Sequence, residues 1–321
     1  MEQKKIKKLK TKNCLDKDYF KRLKKDLIRY KSVYLLFLIP MIWYIIFCYV
    51  PMYGLLMAFQ DFNIRLGVSG SEWVGFENFI RFFNDPYFSR YIINTIRISL
   101  WALAVNFPVP IIFAVLINEL RGKLLAKTVQ TVTYMPHFIS LVVICGMVQT
   151  FVGADGIITS IMSFFTGKDY ETTLLNNPDL FAPIFVLSGT WQGTGFASII
   201  FVAALAGIDQ SLYEAASIDG AGYFKKFLHV TIPGIMPTIV VMFILRLGSV
   251  LNTDYQKVLL LLNQLNAEKA EVLSYYVYEK GIGNGDYGIS TAAGLFNSII
   301  NIVLVIAANA ISRKVSESSL W

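Results

Sequence analysis

Charge is what this chain of 321 residues has least of: 16% of its residues are Asp, Glu, Lys or Arg, against roughly 25% in ordinary globular proteins. With 55% hydrophobic residues and a mean hydropathy of +0.53, it cannot cover a water-facing surface, which excludes a soluble protein. Cysteine is scarce too. Cys14, Cys48 and Cys145 are too few and too scattered for a disulfide framework or a thiolate metal site. Only two histidines are present, His137 and His229, far apart in sequence, so neither a zinc site nor a catalytic triad is expected. A phosphate-binding loop is also missing: the nearest fragment, Gly167-Lys168-Asp169, lacks the glycine-rich cradle that holds nucleotide phosphates. The expectation is a membrane protein that is not an enzyme and binds no metal or cofactor itself.

The formal net charge of +7 belongs to one end. Residues 1–32 carry thirteen Lys/Arg and four acids, and the remaining body is slightly acidic, with 16 basic and 18 acidic residues. A basic arm directly before a long apolar run reads as a cytoplasmic flank that fixes orientation and touches anionic lipid, in preference to a nucleic-acid-binding arm. The arm is too long, and the apolar run from Val33 to Phe59 exceeds the roughly 7–15 residues of a cleaved signal sequence.

A helix needs about 20 apolar residues to cross the hydrocarbon core. Six stretches qualify, at about 33–59, 92–118, 128–152, 181–207, 234–262 and 289–311. The prediction is an all-α membrane protein with six transmembrane helices. Its parts are a cytoplasmic arm (1–32), a first helix with an extracellular loop (33–91), a five-helix core (92–311) and a cytoplasmic tail (312–321). Counting Lys and Arg with the N-terminus inside puts 20 in the inner segments and six in the outer loops, which also hold twelve acids. That bias places both termini in the cytoplasm. The outer loops are 60–91, 153–180 and 263–288.

The most informative stretch is the inner loop 208–233. Ser211 followed by Glu214 is a capping-box pattern that starts a helix. Leu212, Ala215, Ala216 and Ile218 give it a short apolar face whose small residues allow another backbone to approach. Asp219 and Gly220 end it. A second short helix is expected from Tyr223 to about His229, and Pro233 marks the return to the membrane. One reading is an amphipathic loop lying on the membrane face, which accounts for Phe224, Phe227, Lys225 and Lys226 but gives Glu-Ala-Ala and Asp-Gly no purpose.

Glu-Ala-Ala, three residues, Gly, nine residues, then aliphatic-x-aliphatic-Pro resembles the signature loop of bacterial ABC importer permeases. It falls here on Glu214, Ala215, Ala216, Gly220, Val230, Ile232 and Pro233, with Val230 and Ile232 where the family often has Ile and Leu. Phe76-Glu-Asn-Phe79 after Gly75, Asn94-Thr95, Met135-Pro-His-Phe-Ile-Ser140 and the ending from Ala308-Asn309 to Ser319-Leu-Trp321 are similar to the carbohydrate-uptake branch and its polysaccharide/oligosaccharide subgroup. The resemblance implies a type I ABC importer permease fold with a cytoplasmic coupling helix, in the bacterial cell membrane. It implies a second permease subunit (a heterodimer is favoured), two cytoplasmic ABC ATPases that bind the ATP and Mg, and an extracellular lipid-anchored solute-binding protein. Glu214, Ala215, Ala216, Asp219, Gly220 and Pro233 would couple to the ATPase. The subgroup implies oligosaccharides derived from complex polysaccharides, such as plant cell-wall pectic or host glycans.

Sugars are held by aromatic faces and by hydrogen bonds to their hydroxyls. Candidate residues along a substrate path are therefore Trp191, Gln192, Thr194, Asn252, Asp254, Tyr255, Asn297 and Asn301. The same polar residues can equally tie membrane helices together. Gly189, Gly193 and Gly195 read as helix-contact positions. Arg246 and Asp254 are read as charges inside the fifth span, either paired or facing water, and Arg97 as a snorkelling residue. A proton-coupled secondary transporter of a polar solute is the alternative; it would want paired intramembrane acids. A membrane glycosyltransferase would want paired acids at a membrane face, which the inner loops lack.

Overall fold

The computed structural model describes residues 25–26, 28–120 and 122–315. Most of the basic arm, Cys14, Arg121 and the terminal Ser319-Leu-Trp321 lie outside the described residues.

The chain divides into two compact units, residues 1–56 and 57–321. In the first, α1 (Lys31–Tyr44) continues into a π-helical turn at Ile45–Tyr49. Its side chains are exposed throughout, as suits a helix with apolar residues on every side.

The second unit begins with a short hairpin, β1 (Gln60–Asp61) against β2 (Glu72–Trp73). The helices that follow are, first, α2 (Glu77–Phe83), α3 (Phe88–Asn106), α4 (Pro108–Asn118), α5 (Lys123–Tyr134), α6 (Leu141–Phe151), α7 (Ile157–Thr166), α8 (Pro178–Ala206) and α9 (Gln210–Ile218). Then come α10 (Tyr223–Lys226), α11 (Ile232–Leu247), α12 (Tyr255–Leu261), α13 (Leu273–Tyr278) and α14 (Tyr287–Val315).

Among the described residues five helical runs are long and apolar enough to cross a membrane: Lys31–Phe59, Phe88–Asn118, Pro178–Ala206, Tyr223–Leu247 and Tyr287–Arg313. The expected third span is a broken pair, Lys123–Phe138 and Leu141–Phe151, bent by 102°. Taken as one span it makes the sixth. The break has visible causes. Pro136 sits in a 3-10 turn at Met135–Phe138, and the extended Ser140 restarts the helix by accepting a hydrogen bond from the Val143 amide.

The expected fifth span, 234–262, is corrected at both ends. Its helical run starts at Tyr223 and stops at Leu247. Residues 255–261 form the separate α12, whose hydropathy had fused it to the span.

Helix α8 is the hub. With α3, α6 and α12 it buries Ile98, Ile144, Val148, Phe181, Phe185, Val258 and Leu261. With α4 and α11 it buries Ile111, Val115, Phe201, Leu205 and Ile235. Lipid is as apolar as these side chains, so close packing and hydrogen bonds must hold the helices together. Gly195 supplies one such approach: a Cβ there would lie 2.3 Å from the Thr133 carbonyl oxygen.

A second cluster, Phe82, Tyr91, Tyr276 and Ile289, joins α2, α3, α13 and α14. Polar ties surround it. Asn94 donates to the carbonyls of Glu268 and Glu271, both at 2.9 Å, and the Thr95 hydroxyl accepts from the Leu273 amide at 2.8 Å. Arg97, expected to snorkel, donates to the Lys269 carbonyl at 2.8 Å. Asn78, from the Phe-Glu-Asn-Phe stretch, is buried and donates to the carbonyls of Ala58 and Gln60.

Candidate functional site

The loop 208–233 forms a small unit held by its own hydrogen bonds. Helix α9 opens at Asp209, whose carboxylate accepts from the Ser211 amide at 2.9 Å. The expected cap at Ser211 is therefore displaced by two residues, because Asp209 reaches the orphan amide first. That bond and the neighbouring Ser211 side chain hold the Asp209 carboxyl below its usual range. The helix closes as the sequence implies. Gly220 takes φ +72°, the Gly220 amide donates to the Ser217 carbonyl, and the Ala221 amide donates to the Ala216 carbonyl. That is a Schellman closure, with glycine at the left-handed position. Asp219 is the residue just before it.

Helix α9 is braced on the base of the fifth span. The Tyr213 and Thr231 hydroxyls lie 3.0 Å apart, and Lys226 Nζ donates to the Ser217 hydroxyl at 2.7 Å. Gly234 lets the chain close in: a Cβ there would meet the Ile208 side chain at 2.8 Å. The expected helix from Tyr223 is continuous with the span, through a π-helical turn at Phe227–Thr231. That turn precedes Pro233, which has no amide hydrogen to donate and whose ring would crowd a regular preceding turn.

What this unit offers is apolar and open. Glu214 and Ala215 are exposed and Ala216 is half-buried, while Ile218 is 88% and Phe224 68% exposed. A groove of about 370 Å³ runs beside it between Glu119, Tyr213, Lys226 and Thr231.

The candidate path residues separate into four places, the last of them the cavity lined by Thr194. Asn297 and Asn301 of α14 both donate to Asn252 Oδ1, at 2.8 and 3.0 Å, so these three do come together and tie the chain after α11 to α14. Asp254 is not inside a span. It caps α12 by accepting from the Gln256 and Lys257 amides. It forms no ion pair with Arg246 among the described residues. Tyr255 stacks on Tyr278 with ring centroids 4.9 Å apart. Trp191 lines an apolar cavity of about 390 Å³ with Phe151, Met162 and Pro183. Gln192 is half-buried beside it in sequence.

A second cavity, of about 340 Å³, opens where α3 breaks at Asn106 before Pro108 and Pro110. It is lined by Asn106, Gly189, Thr190, Thr194 and Arg246 among others. The Thr190 hydroxyl donates to Asn106 Oδ1. Of these, sequence reasoning did not single out Asn106 or Thr190; an Asn before a Pro-x-Pro interruption inside an apolar run was the available signal. Lys257 was also passed over. It is 5% exposed, with Nζ donating to the Phe185 carbonyl at 2.8 Å. Cys48 and Cys145 are free thiols, and among the described residues no group of His, Cys, Asp and Glu could hold a metal.

A helical hub, a broken span and a braced inter-span helix make up a multi-span membrane fold, which the chain shares with solved ABC importer chains of the type I permease fold. The chain belongs to the family of binding-protein-dependent transport system inner membrane components, whose model matches residues 106–317. It is 40% identical over 306 residues to the polygalacturonan/rhamnogalacturonan transport system permease protein YteP of Bacillus subtilis, covering 95% of both chains. It is 41% identical over 300 residues to Protein LplB of the same organism, covering 93% of this chain and 92% of that one. Among solved structures it is similar to a chain of a bacterial ABC transporter that imports the acidic polysaccharide alginate, with TM-score 0.83, 38% identity, and coverage of 92% of this chain and 99% of the other. A second structure of an alginate ABC transporter, in complex with an alginate pentasaccharide-bound periplasmic protein, gives TM-score 0.84 at 37% identity, covering 93% of this chain and 100% of that one.

Proposed function

We propose that this chain is one permease subunit of an ATP-driven importer of oligosaccharides cut from complex polysaccharides, with pectic fragments of plant cell wall as the leading class. The observation that carries the substrate class is the near full-length likeness to a polygalacturonan/rhamnogalacturonan permease. The alginate importers point to acidic glycans as well. An extracellular, lipid-anchored binding protein would deliver the solute, and a second, different permease would complete the path. Two cytoplasmic ATPases would bind ATP and Mg. The N- and C-termini would face the cytoplasm, on the same side as α9.

Coupling would run through α9. Ile218, Leu212 and the small Ala215 and Ala216 form a helix-in-groove surface, with Glu214 as a polar anchor and Gly220 fixing the exit. Because α9 is braced to the continuous Tyr223–Leu247 run, closure of the ATPases would move it as a rigid lever. The spans would then alternate between inward- and outward-open states.

The test is uptake into proteoliposomes holding both permeases and the ATPases, with the binding protein outside and trigalacturonate as probe. Uptake should need ATP and persist when an ionophore collapses the proton gradient. Uptake driven by a proton gradient without ATP would establish a secondary transporter instead.

A further inference from the structure

The cavity at the break between α3 and α4 holds a charge that the fold does not use. Arg246 lies in the last turn of α11 and lines this cavity with Asn106, Thr190 and Thr194. Its guanidinium has no ion-pair or hydrogen-bond partner among the described residues. An intramembrane cation is costly and is retained where it pairs or meets water or solute. No carboxylate lines the cavity.

A second cation stands behind its wall. A Cβ on Gly189 would lie 3.2 Å from Lys257 Nζ and 3.9 Å from Asn106 Nδ2. Asp254, the acid near Lys257, accepts from that residue's amide and does not line the cavity. The neutral groups are also arranged for a sugar. The Asn106 carbonyl oxygen is occupied by Thr190, which leaves the amide NH2 as a donor. The single Thr190 hydroxyl proton is shared between Asn106 Oδ1 and the Val186 carbonyl, and the Thr194 hydroxyl donates to the Thr190 carbonyl, so both oxygens keep lone pairs to accept. At about 340 Å³, the space falls in the roughly 300–1,000 Å³ range of small-molecule sites.

We propose that this cavity is a transit subsite for the carboxylate of a uronic acid residue, with Arg246 as the forked cation that selects acidic over neutral oligosaccharides. Guanidinium meets carboxylate through two parallel hydrogen bonds, whereas an ester at the same carbon offers no full charge to it. The inference rests on the oligosaccharide reading above and narrows its substrate.

The experiment uses the complete reconstituted importer with two probes, trigalacturonate and its fully methyl-esterified form. Each uptake rate is expressed relative to the unsubstituted transporter on the same probe. Arg246→Gln should lower the acid-to-ester ratio about tenfold, and Arg246→Lys, which keeps the charge, should lower it less than threefold. Equal losses on both probes, in both variants, would mean that Arg246 serves packing or an ion pair with the second permease, and would overturn the subsite while leaving the oligosaccharide reading intact. Unchanged rates for Arg246→Gln on both probes would overturn it too. An unsubstituted transporter that moves neither probe overturns the oligosaccharide reading and the subsite with it.

Discussion

The two ends of the permease core are finished in different ways. At the end built from α2, α13 and the first turns of α3 and α14, charges meet partners within the chain. Arg81 pairs with Asp286 at 2.6 Å, Arg90 with Glu271 at 2.7 Å, Lys280 with Asp85 at 3.7 Å, and Lys269 with Asp179. Burial raises the Glu271 carboxyl above its usual range, with Arg90 opposing that shift. Phe82, Phe88 and Phe296 interlock edge to face. At the α9 end hydrogen bonds brace the helix internally, yet Leu212, Ile218, Tyr223 and Phe224 are left exposed. Exposed apolar side chains grouped on one short element outside the spans are what a contact with another chain requires. One end pairs its charges within the chain; the other presents the exposed side chains proposed above to meet the ATPases.

That contrast can be broken most severely at Gly220. Gly220→Leu forces a bulky side chain into the left-handed conformation, at a cost of about 1–2 kcal/mol, and misdirects the chain leaving α9. ATP-driven uptake in proteoliposomes should fall more than tenfold, and ATPase stimulation by loaded binding protein should fall with it. Normal uptake with normal stimulation would remove α9 from the coupling role. Asn94→Ala attacks the charge-paired end. It removes two half-buried hydrogen bonds, each worth about 0.5–1.5 kcal/mol, so the melting temperature of the purified transporter in detergent should drop by a few degrees.

Ile218→Ser sharpens the contrast. At 88% exposure it should leave that melting temperature within a degree, yet reduce co-purification with the ATPase and uptake several-fold. Glu214→Lys should behave likewise, through charge reversal at the same contact. Arg81→Ala should do least. Its side chain is 50% exposed in the pair with Asp286, and exposed pairs contribute about 0–1 kcal/mol; a loss of uptake there would mean that the charge-paired end also meets a partner.

Much of this was legible from the residues alone, for reasons that also explain the misses. Long apolar runs locate spans because lipid demands them. Hydropathy does not see a chain reversal, however. Val250, Leu251 and Val258–Leu262 kept the fifth span running to 262, although Asp254 before Tyr-Gln-Lys is an ordinary helix start. Pro136 and Ser140 likewise carried the signal of a broken third span. In α9 the capping pattern was satisfied at Ser211, but Asp209 was an equally good cap and lay earlier, and only the fold settles that competition. The Glu214–Pro233 spacing and the Gly220 turn could be read directly because they are local. Asn94 on the Glu268 and Glu271 carbonyls, Lys257 on Phe185 and the Asn106–Thr190 pair join residues 72 to 177 positions apart, and no local pattern announces such a tie.

The π-helical turn at Phe227–Thr231 has a consequence for how this protein can diverge. A helix advances about 100° per residue, so the extra residue in that turn sets the compass bearing of α9 around the axis of the span that follows. Removing one residue there would leave a helix of ordinary pitch and point Ile218 and Ala215 about a quarter-turn away from any groove they had fitted. Side chains in the segment are free to drift; its length is not, and an insertion or deletion at this point should be inherited only with a matching change in the surface it meets.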